Sequence, residues 1–154
     1  MKMIKADNSD LDTVKDITYT TINQVYPKYY PKGAVDFFLA HHSSKNIEDD
    51  IAAGKVFILL DDSDTAVGTV TVDGNDIGRL FVLPEYQGRG FGSFLLSFAE
   101  ETVGDEYGDI ILDSSLPAKA IYMKKGYIST DYNIIETDSG DFLCFDTMIK
   151  KRPR

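Results

Sequence analysis

Three glycines fall within five residues in PEYQGRGFGSFLLSFAEE, Pro84 to Glu101, directly before an apolar segment. Phe91, Leu95, Phe98 and Ala99 recur at the spacing of one helix face, so Gly88, Gly90 and Gly92 mark the start of a helix. The preceding residues read as a strand, which makes this a strand-to-helix turn with unusually bare backbone. The first N–H groups of a helix have no partner inside it and carry the positive end of its dipole, so they solvate an anion well. Glycine lets that anion come close. Two common phosphate loops are excluded by spacing: GRGFGS is not G-x-G-x-x-G, and no G-K-[ST] follows. Phosphate binding is the leading explanation, and a tight turn with incidental glycines is the alternative.

The remaining chain supplies a frame for this turn. MKMIKA reads as a strand, Asn8, Ser9 and Asp10 offer helix caps, and the helix they open ends before Pro27. Pro31 suits the first turn of a second helix, and Ser44 suits the cap of a third that stops at Gly54. VFILLD, TAVGTVTVD and DIGRLFVL then read as an antiparallel meander, with turns at Asp61 to Asp64 and Asp73 to Asn75. Two last strands fall near YISTDYNIIET and DFLCFDTMI. With 154 residues, 43% of them apolar, one domain over residues 1–150 accounts for the chain, and residues 151–154 end a basic run, KKRPR, read as a solvated tail.

Acidic residues outnumber basic ones 25 to 16, a formal net charge of -9, which argues against nucleic acid and anionic membrane as partners and for a cationic substrate. No stretch has signal-peptide or membrane-span character, and the lone Cys144 reads as a buried small apolar residue, so a reducing cytoplasm is the expected setting. His41 and His42 read as a dipole-favoured helix end. No metal is expected, because no Cys or spaced carboxylates complete a site around them.

Gln87-Gly88-Arg89-Gly90-Phe91-Gly92, preceded by LFVLPEY, resembles the Q/R-x-x-G-x-G/A signature of the GNAT superfamily of N-acetyltransferases. About thirty residues on, ILDSS followed by LPAKAIYMKKGY is similar to that superfamily's later motif, a helix that bears a tyrosine and ends at Gly-Phe or Gly-Tyr. The order of elements agrees along essentially the whole chain, although only residues 80–127 are specific. The resemblance implies an α/β fold with a mixed, mostly antiparallel sheet of six to seven strands, helices on both faces, and central strands that splay to admit acetyl-CoA.

Residue by residue, the resemblance implies that the backbone of Gln87 to Gly92 holds the pyrophosphate, with Ser93 adding a hydroxyl and Arg89 a charge. Phe81 and Val82 match the strand whose backbone pairs with the pantetheine arm and polarises the thioester carbonyl. Tyr122 matches the tyrosine that protonates the departing thiolate; a thiol at about 8.5 and a phenol at about 10 make that transfer nearly balanced. Packing on an amphipathic helix is its alternative role. Ser115 stands where many members carry an asparagine, which leaves a shorter contact to the pantetheine. Lys125 is the residue placed for the 3′-phosphate of CoA.

An alkylammonium has no lone pair, so an attacking amine must first lose a proton. Asp76 shares the alternation of Gly78, Leu80 and Val82 and falls where some members carry a glutamate base; a solvated turn aspartate is the alternative. Tyr26, Tyr30 and Phe37 belong to an aromatic stretch, together with Tyr29 and Phe38, that walls an acceptor site or fills a core. The implied activity is acetyl transfer from acetyl-CoA to a small or cationic amine or a peptide N-terminus, by direct attack in a ternary complex. A non-catalytic acyl-CoA-binding sensor is the alternative, and a homodimer is the implied assembly.

Overall fold

The computed structural model describes residues 1–153; Arg154, the end of the expected tail, lies outside the described residues. The chain opens with β1 (Lys2–Lys5) and three helices, α1 (Leu11–Val25), α2 (Lys32–His41) and α3 (Ser44–Ala52). β2 (Val56–Leu60), β3 (Ala66–Asp73) and β4 (Asp76–Val82) form the meander. Then come α4 (Phe91–Thr102), β5 (Asp109–Ser114), α5 (Lys119–Lys124), β6 (Ile128–Glu136) and β7 (Phe142–Lys151).

Two helix starts follow side chains that satisfy free N–H groups, each one residue earlier than the sequence suggested. Asp7 is the cap at the first start: its Oδ1 accepts from Ser9 N–H at 2.9 Å, and its own N–H donates to Asp10 Oδ2 at 2.9 Å, through the 3-10 turn that enters α1. Ser43, not Ser44, caps α3 by accepting from Asn46 N–H at 3.2 Å. Pro31 sits just outside α2, whose Gly33 N–H instead donates to Asp141 Oδ2 at 2.7 Å, from the turn between β6 and β7. A remote carboxylate thus seats the start of α2.

The seven strands form one sheet in the order β1-β2-β3-β4-β5-β7-β6, antiparallel except for β4 beside β5. On one face, α4 lays Leu95, Leu96 and Ala99 against Val67, Val70, Ile77, Leu112 and Met148. On the other, α1 and α2 pack Ile17, Ile22, Ala34 and Val35 against Phe81 and Leu143, while α3 covers Val56 and Ile58 with Ile47 and Ile51. Leu95 is fully buried, and burying one leucine stabilises by about 1.5–3 kcal/mol. Leu95→Ala, at a cost of about 2–5 kcal/mol, is the single change most damaging to the seat of α4.

Two irregularities in β4 shape everything that follows. Thr69 pairs with Phe81 and Thr71 with Gly78, so β4 carries one residue more than β3 between these pairs, a bulge at which Arg79 takes φ +45°. The bulge resets the alternation expected from sequence: Asp76, Gly78 and Phe81 lie opposite Asp73, Thr71 and Thr69, whereas Ile77 and Val82 face α4. Leu80 and Val82 therefore do not share the face of Asp76. Second, β4 and β5 pair only through Asp76 with Ile111 and Ile77 with Leu112. β5 then stays with β7 out to Ser114 opposite Asp146, so the sheet splays beyond the bulge.

Within the basic C-terminal run, residues 150–152 are not a solvated tail. Lys150 and Lys151 belong to β7, Lys150 Nζ reaches Glu100 at 3.3 Å, and Arg152 donates to the carbonyls of Val103, Gly104 and Tyr107, the last two at 2.6 Å. Cys144 is half-buried on β7 rather than sealed in the core, because its strand lies beside edge strand β6. Among the described residues no helix is long and apolar enough to cross a membrane.

Candidate functional site

The splay opens two cavities of about 310 Å³ each, which share Tyr26, Leu80, Phe81, Ser115, Ala118 and Tyr122 as their common wall. One lies toward the glycine turn and the other toward α2.

The turn-side cavity is built from backbone. Gly90 takes φ +87° at the N-cap of α4, no side chain caps that helix, and Gly88 takes φ +79°. A Cβ at either glycine would meet nothing within 4 Å, so the space beside both is open. The free N–H groups of α4 therefore face a concavity that Gln87, Gly88, Gly92 and Ser93 line at one end. Gln87 Nε2 donates to Val82 O at 2.9 Å, fixing the turn to the end of β4. Past Ile77 the β5-facing edge of β4 has no strand partner, which leaves the backbone beside Phe81 and Val82 available to an extended ligand.

Tyr122, Ser115 and Lys125 complete the walls of this cavity. The Tyr122 ring is buried, and its hydroxyl makes no hydrogen bond among the described residues. Burial, with Tyr26 nearby, holds its pKa well above that of an ordinary phenol, so it keeps its proton. Three residues of the turn stand apart from the lining. Gly90 serves as the helix cap, Phe91 packs against the α4 core and Tyr86, and exposed Arg89 lies over the Tyr86 ring, 5.3 Å from its centroid.

The second cavity has aromatic walls and acidic and basic groups together. Tyr26, Phe37, Phe38 and Phe81 line it, with Asp76 and Asp113. Burial raises the Tyr26 pKa to about 12, partly offset by the Ser115 hydroxyl. Asp76 is solvent-accessible yet recessed, and desolvation followed by repulsion from Asp113 and Asp73 lifts its pKa to about 6. Tyr30 does not line either cavity. Its ring packs against Tyr26 and Phe38, and its hydroxyl accepts from Leu116 N–H at 2.7 Å, tying the segment before α2 to the loop before α5.

Sequence reasoning missed Arg79 and misread His42. Arg79 is buried at the bulge and donates to Thr71 Oγ1 at 3.0 Å, Asp50 Oδ2 at 3.0 Å and His42 Nδ1 at 3.2 Å. An arginine N–H can only donate, so His42 Nδ1 is the lone-pair nitrogen. Burial, then the Arg79 guanidinium and His41, push the His42 pKa down to about 3. His42 is thus a neutral ring in the cavity wall, not the cationic helix end that its position suggested. An arginine among apolar strand residues was the available signal, but its partners lie 8, 29 and 37 residues away.

Residues 25–143 match the model of the Acetyltransferase (GNAT) domain. No curated protein matches the chain significantly. Among solved structures, the chain is similar to a GCN5-related N-acetyltransferase from Rhodopseudomonas palustris, with a TM-score of 0.87 at 21% identity over 98% of this chain and 95% of that one. It is also similar to the PaiA N-acetyltransferase from Thermoplasma acidophilum in complex with coenzyme A, with a TM-score of 0.70 at 20% identity over 98% of each chain. The ribosomal-protein-S18-alanine N-acetyltransferase from Escherichia coli gives a TM-score of 0.69 at 16% identity over 97% of this chain and 92% of that one.

Proposed function

Because the chain belongs to the GNAT acetyltransferase family, we propose that it transfers the acetyl group of acetyl-CoA to a primary amine, by direct attack while both substrates are bound. The observation that carries this reading is the uncapped, glycine-bared start of α4, which opens on a cavity that ends at Tyr122.

The residues present fit a CoA ester. The N–H groups that open α4 and Ser93 suit the pyrophosphate, and Lys125 stands beside the same cavity for a phosphate farther out. The unpaired edge of β4 suits the amide-bearing arm, and a free N–H there would stabilise charge developing on the thioester oxygen. Acetyl-CoA supplies the activated acyl group as its thioester. The amine enters from the cavity beside α2, where Asp76, as its carboxylate, takes a proton from the incoming ammonium directly or through water. The amine nitrogen bonds to the carbonyl carbon as the carbon–sulfur bond breaks, and Tyr122 gives its hydroxyl proton to the departing sulfur. The second proton of the amine nitrogen returns through water to the Tyr122 oxygen, leaving a neutral amide and the free thiol of CoA. Its raised pKa makes Tyr122 a hydrogen-bond donor that yields a proton only as the thiolate forms.

Tyr26 and Phe37 contribute the apolar wall against which the acceptor lies. The net charge of -9 favours a cationic or neutral amine, including a peptide N-terminus, over an anionic one. The test is thiol release from acetyl-CoA with and without a panel of amines. Amine-dependent release supports transfer, whereas CoA binding without release from any amine favours an acyl-CoA-binding module.

A further inference from the structure

His42 ends α2 at the wall of the cavity that also holds Asp76 and Asp113. Its Nδ1 is occupied by Arg79, so the ring proton resides on Nε2. Nε2 makes no hydrogen bond among the described residues, where Thr18 Oγ1 is the one sealed side-chain polar atom without a partner. Nε2–H is therefore not sealed from a ligand, and its ring belongs to the cavity wall. Arg79 is largely buried, its three nitrogen atoms each donating to one partner, His42, Thr71 and Asp50. It sets the tautomer of His42, and although it also lines this cavity, its charge is paired with the Asp50 carboxylate at 3.0 Å. The ring is held in place by an edge-on contact with Phe81, centroids 5.7 Å apart.

Resting on the proposed amine transfer, we propose that His42 is a specificity-determining residue that selects acceptors with an uncharged carbonyl oxygen next to the reacting amine: an amino-acid amide or the N-terminal residue of a peptide. A neutral N–H donor pairs well with a carbonyl oxygen. A carboxylate meets that neutral donor and an arginine, Arg79, whose charge is already paired with Asp50, while facing the carboxylates of Asp76 and Asp113 in the same cavity; a plain alkylamine leaves the donor without a partner. The two carboxylates suit the ammonium group of the arriving acceptor, so the wall presents complementary groups for the two ends of an α-amino amide.

The experiment compares glycinamide, glycine and isobutylamine, the last a hydrocarbon isostere of glycinamide, with wild type, His42→Phe and His42→Gln. Rates are expressed per free-base amine, and the wild-type-to-variant ratio for each acceptor cancels its intrinsic reactivity. His42→Phe is expected to lose at least about tenfold more on glycinamide than on isobutylamine. His42→Gln, which keeps an acceptor for Arg79 and a donor for the ligand, is expected to regain part of that difference. Equal losses on both acceptors would show a merely structural role and overturn the inference, as would a wild type that prefers glycine to glycinamide.

A second readout does not depend on transfer. In wild type with free CoA, the His42 Nε2 proton resonance is expected to shift on saturation with glycinamide and not with isobutylamine. If no acceptor releases thiol, the transfer reading fails and this resonance alone decides the inference: a shift with glycinamide sustains it, and an unmoved resonance ends it.

Discussion

Lys119 Nζ lies 2.7 Å from Asp146 Oδ2, which also accepts from Ser129 Oγ at 2.7 Å. Asp146 is buried on β7 opposite Ser114, so this pair fastens the first residue of α5 to the sheet, three residues before Tyr122. The side-chain hydrogen bonds from Lys119 and then Ser129 hold the Asp146 pKa below its ordinary value of 3.8. A depressed carboxyl pKa contributes stability above the unfolded value and loses it as pH falls through the folded one. Because Lys119 is 40% exposed, screening limits the pair to about 1 kcal/mol. Asp146→Asn is expected to melt about 2–4 °C below wild type at pH 7, with the gap closing below about pH 4. Melting curves taken across that range check this, and a gap independent of pH would separate the effect from the carboxylate charge.

Tyr122→Phe removes a buried hydroxyl that has no hydrogen-bond partner among the described residues. Its loss should leave the melting temperature within a few degrees of wild type. If the hydroxyl serves the departing thiolate, thiol release should fall by about 10²-fold while the Kd for CoA changes by less than about threefold. Calorimetry for CoA and a thiol-release assay on the same preparation distinguish the two effects. Unchanged turnover would assign Tyr122 to packing.

The parts of this site that were legible in the sequence are those written locally. Gly88, Gly90 and Gly92 lie within five residues, and the helix they open shows its apolar face directly. The strand meander was equally plain, because alternation and turn residues act over short spans. Alternation failed at Arg79, since a bulge adds a residue without any composition cue, and Asp76 was thereby grouped with residues on the wrong face. Tyr30 and His42 were misjudged for a different reason. Their roles depend on Leu116 and Arg79, contacts that the chain makes only once α2 and the segment before it are packed against the sheet. The caps at Asp7 and Ser43 were each missed by one residue because neighbouring side chains, Asn8 and Ser44, are equally good cappers.

The raised pKa of Asp76, about 6, has two consequences of known sign. Desolvation and its acidic neighbours disfavour the carboxylate in the folded protein, so the group lowers stability once pH exceeds 3.8. Asp76→Asn should therefore melt at or above the wild-type temperature at pH 7. If the carboxylate accepts the amine proton, kcat/KM of wild type should rise through an acid limb near pH 6, beside the titration of the amine itself. That limb should vanish in Asp76→Asn. A pH profile identical in both proteins would leave water as the base.

Gly92 separates fold from ligand more cleanly than the other two glycines of the turn. Gly88 and Gly90 hold positive φ values, so any side chain there strains the backbone whether or not a ligand is bound. Gly92 lies inside α4 without a positive φ, and a Cβ built there meets nothing closer than Val82 Cγ2 at 4.0 Å. Alanine favours a helix over glycine by about 0.5–1 kcal/mol, so Gly92→Ala should raise the melting temperature. The structure by itself thus gives no reason for glycine at this position. Close approach of a phosphate to the N–H groups of α4 does give one, and it requires that the same methyl group weaken CoA binding, by an expected tenfold or about 1.4 kcal/mol. Thermal melts and CoA titrations on the one variant should move in opposite directions. A stabilised variant that binds CoA as tightly as wild type would show that the bare backbone at Gly92 serves neither fold nor ligand, and would shift the weight of anion binding onto Gln87, Gly88 and Ser93.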